Sequence, residues 1–530
     1  NEIHRLNAMA AMEIRSGENK NNTNTVWGYV PERGEILVSP TYPTEITPVG
    51  GTVPISWGAL DKLYQGGWKN TTITNNYVSF FVTFAYSLKD RYVFNANVRS
   101  DASNRFGQDA NKQFAPTYSF GVSWRMAEEE FVKTYLPWLN QLNLRATYGV
   151  QGNVVTSISP DLITQYQGIL PGYNEYYLTI SSLPNPLLKW ERTKTWNLGL
   201  DLQLFNGISM SLEYYGRRSN AIINQDIAQE YGMNAMKLNG GRIHNHGLEY
   251  SVNITPYQRK DFVWTIGINA SKNWNRTQNN DIRTKADKIT KSNFLTGSSD
   301  RFLKKGYPLS AFWSYSFAGL DPETGYPTFN LIDFEEADPD IDPTTFLVYS
   351  GQKDPYFTGG VNTRARYKSF SLGVNFSVLL GAKKRLPNPY QNFSHGKLPD
   401  PFYNLSKDLL KRWQKPGDEK HTIYPALYTS VEDLYNIQLP DGTMSNSIYD
   451  MWGQSDAMVV NASFLRCTQI SLSWNMPKQI CSKFGATNCS ISANVNNPFV
   501  IGSSRFNGFD PELGDSVMPK IFSFGLSVGF

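Results

Sequence analysis

Phe522, Phe524, Leu526, Val528 and Phe530 occupy alternate positions near the end of the chain, separated by Ser523, Gly525, Ser527 and Gly529. Successive side chains of a strand point to opposite faces, so this segment predicts a strand with one greasy stripe and one nearly bare face. In water such a strand is an aggregation template. Between lipid and a wet lumen, it is what a barrel wall requires. The same period of two recurs along the chain. Val78, Phe80, Val82, Phe84, Tyr86 and Leu88 form an apolar row, and after a tight Lys89-Asp90-Arg91 turn Phe94, Ala96 and Val98 alternate with Asn95, Asn97, Arg99 and Asp101, which predicts a hairpin. Further alternating rows fall in residues 118–124, 142–150, 196–204, 208–214, 248–254, 262–268, 361–367, 370–380 and 470–474. With strands expected near 3–16, 310–320 and 489–500, the pattern yields about fifteen.

The connections alternate too. Short turns at Lys89, Asn206, Gln258 and Lys368, and short links over 127–139 and 477–487, interleave with long polar excursions at 17–72, 153–191, 221–242, 321–354, 383–460 and 502–517. Outer-membrane barrels keep turns short on the periplasmic side and loops long outside. If the first strand rises outward and the last descends, the strand count is even, which places a missing descending strand near 289–297 and gives about sixteen. The expected fold is therefore all-β, a transmembrane antiparallel β-barrel, with 383–460 as a long extracellular loop.

Composition narrows the class. Hydrophobic residues make up 40% of 530 residues, and no apolar run of the roughly 18 residues needed for a spanning helix occurs. Aromatic residues reach 14%, and 41 glycines are present, which fits many short strands, turns and aromatic girdles. A formal net charge of +4 gives no reason to expect a nucleic-acid partner. Asn1 lies just ahead of a strand pattern, so either a processed precursor or a start partway along a longer protein is expected.

The inward positions carry charge: Arg99, Asp101, Arg145, Asp201, Glu213, Arg217, Glu249, Arg364, Arg366 and Lys368. Buried in a dry core these groups would be very costly, so they face water or a polar domain filling the barrel. Cys467, Cys481 and Cys489 lack metal-site spacing. Cys481 and Cys489 flank a short connection and could pair, although three free thiols are the preferred reading.

A set of motifs then adds a family. They are R-S-D-A-S-N-R-F-G (99–107), A-P-T-Y-S-F-G-V-S-W-R (115–125), L-N-L-R-A-T-Y-G-V-Q-G-N (142–153), L-K-W-E-R-T-K-T-W-N-L-G-L-D (188–201), N-G-G-R-I-H-N-H-G-L-E (239–249), G-Y-P-L-S-A-F-W-S-Y (306–315) and L-D-P-E-T-G-Y-P (320–327). Together they resemble the SusC and RagA family of TonB-dependent outer-membrane transporters, and the terminal aromatic strand resembles the assembly signal of bacterial outer-membrane proteins. The resemblance implies a barrel of about 22 strands, wide enough to need a plugged lumen. It implies that residues 1–530 correspond to the C-terminal part of the barrel, without the plug and the TonB box. It further implies a bacterial outer-membrane location, no enzymatic activity, contact with the TonB complex through the N-terminal region, and a SusD-like surface lipoprotein that captures an oligosaccharide or peptide over the loops.

Within 383–460, Tyr390, Trp413, Tyr424, Tyr428 and Trp452 are candidates for stacking on sugar rings or for contact with the lipoprotein, and their density leans the cargo toward a glycan. Asp338, Asp340 and Asp342 belong to an acidic stretch with the hard oxygen ligands calcium requires. Pro339 and Pro343 stand where the family has a G-D-G stretch, so a solvated loop is preferred to a structural calcium site. The five histidines are scattered, and Asp510, Glu512 and Asp515 sit beside Pro511 and Gly514 in a turn-like stretch, so no catalytic constellation is expected. An importer leads, a passive sixteen-stranded porin is the alternative, and a soluble sugar-active enzyme is a distant third.

Overall fold

The computed structural model describes residues 3–530 apart from 24–28, 31–35, 38–68, 105–113, 154, 156–157, 171–172, 174, 206, 228–229, 231, 234, 279–294, 296–303, 332–344, 391–403, 428–434, 441 and 443. Its wall is one antiparallel sheet of 14 strands whose spatial order is their sequence order. They are β1 (His4–Thr23), β2 (Lys69–Leu88), β3 (Tyr92–Ser103), β4 (Phe114–Arg125), β5 (Leu139–Asn153), β6 (Glu191–Leu204), β7 (Ile208–Asp226), β8 (Ala235–Gln258), β9 (Phe262–Thr277), β10 (Phe357–Tyr367), β11 (Phe370–Leu380), β12 (Phe464–Asn475), β13 (Asn488–Ile501) and β14 (Ile521–Gly529).

Every expected wall row is present except one. The expected strand near 310–320 is not in the wall, because β9 pairs directly with β10 from Phe262↔Tyr367 to Lys272↔Phe357. Ala311–Tyr315 instead pairs with Leu347–Gln352 in a separate ribbon. Its residues from Phe312 to Tyr315 are all buried, as in a strand covered on both sides, whereas a wall strand has one lipid face and one wet face. The even count is thus reached by removing a strand, not by adding one. The segment proposed to supply it, near 289–297, lies outside the described residues except for Leu295.

Apolar side chains fill the outer face. Trp196, Leu198, Leu200 and Leu202 on β6 lie opposite Tyr148, Ala146, Leu144 and Leu142 on β5. Aromatic residues cluster at both ends of this band. The row Phe120, Tyr148, Trp196 and Gly216 continues to His246 and Trp274, whose rings stack at 5.1 Å. At the other end Phe370 stacks on Trp474 at 5.7 Å and Tyr92 on Trp124 at 6.2 Å. Trp264 and Trp274 mark the two belts on one strand. With a rise of about 3.4 Å per residue and a tilt of about 40°, their separation along the normal is roughly 25 Å, the height of an outer-membrane apolar band.

Tight connections close the Trp474 end. Lys89 and Asp90, with φ of 52° and 53°, are the central pair of the Lys89-Asp90-Arg91 turn between β2 and β3, which the Arg91 amide closes onto the Leu88 carbonyl at 3.0 Å, a left-handed pair that matches the twist of the strands. The β4–β5 link holds a short helix, Glu130–Tyr135. Beside it the buried Glu129 carboxylate accepts from Arg91 Nη1 (2.9 Å), Tyr92 Oη (2.7 Å) and Trp124 Nε1 (3.1 Å), tying three successive elements together.

Long insertions build a folded cap at the opposite end. The ribbons Ala311–Tyr315 with Leu347–Gln352 and Phe317–Leu320 with Pro327–Phe329 come from the β9–β10 connection. The β11–β12 connection contributes the ribbon Lys383–Arg385 with Val459–Asn461 and a short helix, Ile448–Gly453. Both share an apolar core in which Ile448, Tyr449, Trp452 and Met458 are buried, and Phe506 from the last loop joins them. That loop is pinned to the wall by Arg466 on β12, whose guanidinium grips Asp510 with two bonds of 2.7 Å while both side chains are about 5% exposed or less.

Two predictions follow from these ties. Asp510→Ala leaves the buried Arg466 charge with only the half-exposed Glu512, at 3.0 Å, as its partner and is expected to cost up to about 3 kcal/mol, whereas pairing it with Arg466→Met recovers much of that loss; urea unfolding of the single and double variants in detergent measures the difference. Hydrogen bonds from Tyr92 and Trp124, with Arg91 beside them, hold the Glu129 carboxyl below the usual glutamate range. Its contribution is therefore complete above the unfolded value and lost as pH falls through the lower folded one. The protection of amides 126–138, as exchange relative to the intrinsic rate at each pH, is expected to fall on acidification in the wild type, and Glu129→Gln flattens that dependence.

Candidate functional site

The wet face of the wall is where charge collects. Residues of β5, β6 and β7 that point away from the apolar rows bring Arg145, Asp201 and Glu213 into one network. Arg145 donates from Nε to Asp201 Oδ2 at 2.9 Å and from Nη2 to Asp201 Oδ1 at 3.1 Å and Glu213 Oε1 at 2.8 Å. Asn197 and Ser211 donate to the same carboxylates at 3.0 and 2.8 Å. Gly199 makes this reach possible. It lies across from Arg145 in the register, and a Cβ there would fall 3.0 Å from the guanidinium nitrogen.

A second network joins β1, β2 and β3. Arg99 donates to Glu13 at 2.9 Å, to Asp101 at 2.6 Å and to Ser79 at 2.8 Å, and its guanidinium lies 5.2 Å from the Phe81 ring centre. Glu249 faces Glu213 directly across the β7–β8 register and makes no ion pair among the described residues. With Ser211, Ser251, Asn269 and Ser271 these two glutamates line a hollow of about 470 Å³ in the wall. Arg364 and Arg366 are exposed on β10. Among the described residues they too lack an ion pair. The sequence thus named the charges of the wet face but missed Glu13, Ser79, Asn197 and Ser211, which only the strand register identifies as partners.

The aromatic candidates of 383–460 require a correction. Tyr390, Tyr424 and Trp452 are not a surface platform, because they are core residues of the cap. Tyr390 donates its hydroxyl to the Pro425 carbonyl at 2.6 Å and Trp452 its indole N–H to Ile423 at 3.0 Å. Rings buried against one another offer no face to a ligand: Tyr390 and Trp452 meet edge to face at 5.4 Å. Trp413 is half-buried against the 320–327 turn. Asp321 organises that turn by accepting from the Glu323 and Thr324 amides at 3.0 and 2.8 Å. Gly325 has φ of 70°, and the Trp413 ring occupies the space a Cβ would need. Tyr428, Asp338, Asp340 and Asp342 lie outside the described residues. Cys467, Cys481 and Cys489 are free and buried.

A sheet with a lipid face, two aromatic belts, a charged wet face and a cap on one end defines an outer-membrane β-barrel protein. The chain belongs to the TonB dependent receptor-like, beta-barrel family, whose profile matches residues 16–383. It is 28% identical over 488 residues to the TonB-dependent receptor SusC of Bacteroides thetaiotaomicron, covering 86% of this chain and 44% of that protein. It is 24% identical to the TonB-dependent receptor P3 of Formosa agariphila, covering 82% of this chain and 42% of that one. Among solved structures, the RagAB peptide transporter superposes on 100% of this chain with a TM-score of 0.75 at 22% identity, using 54% of its own chain. The chain spans about half the length of these relatives, and it is a protein of the bacterial outer membrane.

Replacing Arg145 with Met is expected to leave Asp201 and Glu213 facing each other without their shared cation, at a cost of about 1–2 kcal/mol after allowance for partial exposure. Gly199→Ala displaces the guanidinium and is expected to reproduce part of that loss. Urea titration of both variants in detergent, with Arg145→Lys as the charge-preserving control, reads the contribution of the forked geometry.

Proposed function

We propose that this chain forms the greater part of the wall and the extracellular cap of a TonB-dependent importer for oligomeric nutrients, oligosaccharides or oligopeptides, working with a SusD-like lipoprotein seated over the cap. The observation that carries the reading is the pairing of an insertion-built, apolar-cored cap with a wet face of fixed charges. A passive pore needs neither, whereas a gated importer needs a rigid outer rim for a partner and charged anchors for a plug. β1 and β14 each pair on one side only among the described strands. Unpaired backbone groups are not tolerated in hydrocarbon, so the wall is completed by further pairing on both edges. In this scheme Arg99, Glu213, Glu249, Arg364 and Arg366 are the groups that hold the plug. The SusC relative and the RagAB structures, the latter described as a peptide importer in open-open and closed-closed states, support an importer with an opening lid.

The cargo class stays as broad as these relatives make it. The leaning toward a glycan loses its support, because the rings on which it rested are packed inside the cap.

Uptake assays with cells expressing the transporter test the mechanism. Import is expected to stop when the inner-membrane proton gradient is dissipated, and a lipoprotein is expected to co-purify in mild detergent. Uptake that persists without the gradient would establish a passive pore instead.

A further inference from the structure

Between the two insertions of the cap and the last loop lies a cavity of about 670 Å³, within the size range of ligand sites, whose charged lining is Lys353, Lys383, Lys384, Arg385, Asp450 and Asp515. Four cations face two carboxylates. Both carboxylates accept local hydrogen bonds, Asp450 from Ser447 Oγ and Asp515 from Ser516 Oγ, each at 3.1 Å. Among the described residues none of the four cations forms an ion pair with a carboxylate.

Arg385 is the anchor of this field. Its guanidinium donates to the Leu295 and Trp313 carbonyls at 2.8 and 2.9 Å and to Ser314 Oγ at 2.8 Å, and it lies 5.5 Å from the Phe312 ring centre. Its Nε is buried without an acceptor among the described residues. Burial lowers its pKa to about 10, so it remains charged at neutral pH. The lysines feel the same surroundings. Burial, and then the charge of Arg385, pulls the Lys353 ammonium below its ordinary value against the opposing pull of Asp354, and burial does the same to Lys384 against that of Glu512, Asp510 and Asp515. With four cations against two carboxylates, the lining leaves part of its positive charge uncompensated, and a bound anion would relieve it.

Position gives the cavity a role. Lys383–Arg385 begins three residues beyond the end of β11, and Leu513, Gly514 and Asp515 come from the loop that leads into β14, so the cavity sits at the cap end of the wall. We propose that it is a cargo subsite that selects oligomers bearing a carboxylate, with Lys353, Lys383 and Lys384 as the contacting groups and Arg385 as the buried charge that sets the field. The proposal rests on the importer reading and narrows its cargo to acidic oligomers. The carboxylate has two chemical sources, an acidic peptide or a uronic-acid glycan, and matched probes distinguish them.

Calorimetric titration of the protein purified from outer membranes, together with any lipoprotein that accompanies it, provides the test. The probes are a short oligoglutamate against the oligoglutamine of equal length, and an oligogalacturonate against its methyl ester; each pair differs in charge and hardly in shape. One acid is expected to bind at least about tenfold more tightly than its neutral counterpart. The gap is expected to shrink with added salt and to collapse in Lys383→Gln/Lys384→Gln. Because Lys384 also donates to the Glu512 carbonyl, Lys353→Gln serves as a second variant, expected to lose part of the gap without touching that bond. Failure of both acids to exceed their neutral counterparts, or a gap unchanged in the variants, overturns the subsite. Gradient-driven uptake that ignores cargo charge overturns it too and leaves the importer standing, whereas uptake indifferent to the gradient removes the importer reading itself.

Discussion

The constraint on which this structure depends is that hydrocarbon satisfies no backbone hydrogen bond. Every amide at membrane depth must find a partner in the chain, and the 14-stranded sheet does this by pairing each strand with its sequence neighbour. Sequential pairing has a second effect. It keeps connections at the Trp474 end down to tight turns such as Lys89-Asp90 and gathers the long insertions at the other end, so the molecule acquires two unlike surfaces from one rule.

The two faces of the wall obey different energetics. On the lipid side the side chains need only be apolar, and aromatic residues mark the borders of the band. The wet side tolerates charge, but not unmatched charge held close together. The Arg145 fork on Asp201 and Glu213, and the Arg99 contacts with Glu13 and Asp101, neutralise their own neighbourhoods. Glu249, Arg364 and Arg366 differ in being left open to whatever enters the lumen.

The cap is organised by ordinary globular physics. Tyr390, Tyr449 and Trp452 pack in mutual ring contacts with each polar tip bonded to a backbone carbonyl, and the Gly325 turn receives the Trp413 ring. Such a core makes the insertions a rigid unit, and the Arg466 to Asp510 bridge couples that unit to the wall. In the middle of it the fold keeps a cavity with surplus positive charge, which a design for stability alone would have neutralised.

The wall was legible in the sequence because a period of two is imposed residue by residue: one face meets lipid and the other water, so alternation survives without reference to any other strand. The alternation of turn lengths was equally local, and the inward charges could be named from it. What the sequence could not reveal was set by contacts distant in the chain. Ala311–Tyr315 looks like a strand in either setting, and only its burial on both sides, against residues 347–352 and the rest of the cap, removes it from the wall. The aromatic residues of 383–460 have the same composition whether they face out or in, and packing against Ile448, Met458 and Phe506 decided that they face in. The run Lys383-Lys384-Arg385 was visible as three cations after a strand, yet its surroundings, with Lys353 added and no carboxylate paired, exist only where two insertions and the last loop converge, because burial and charge compensation are properties of three-dimensional neighbours.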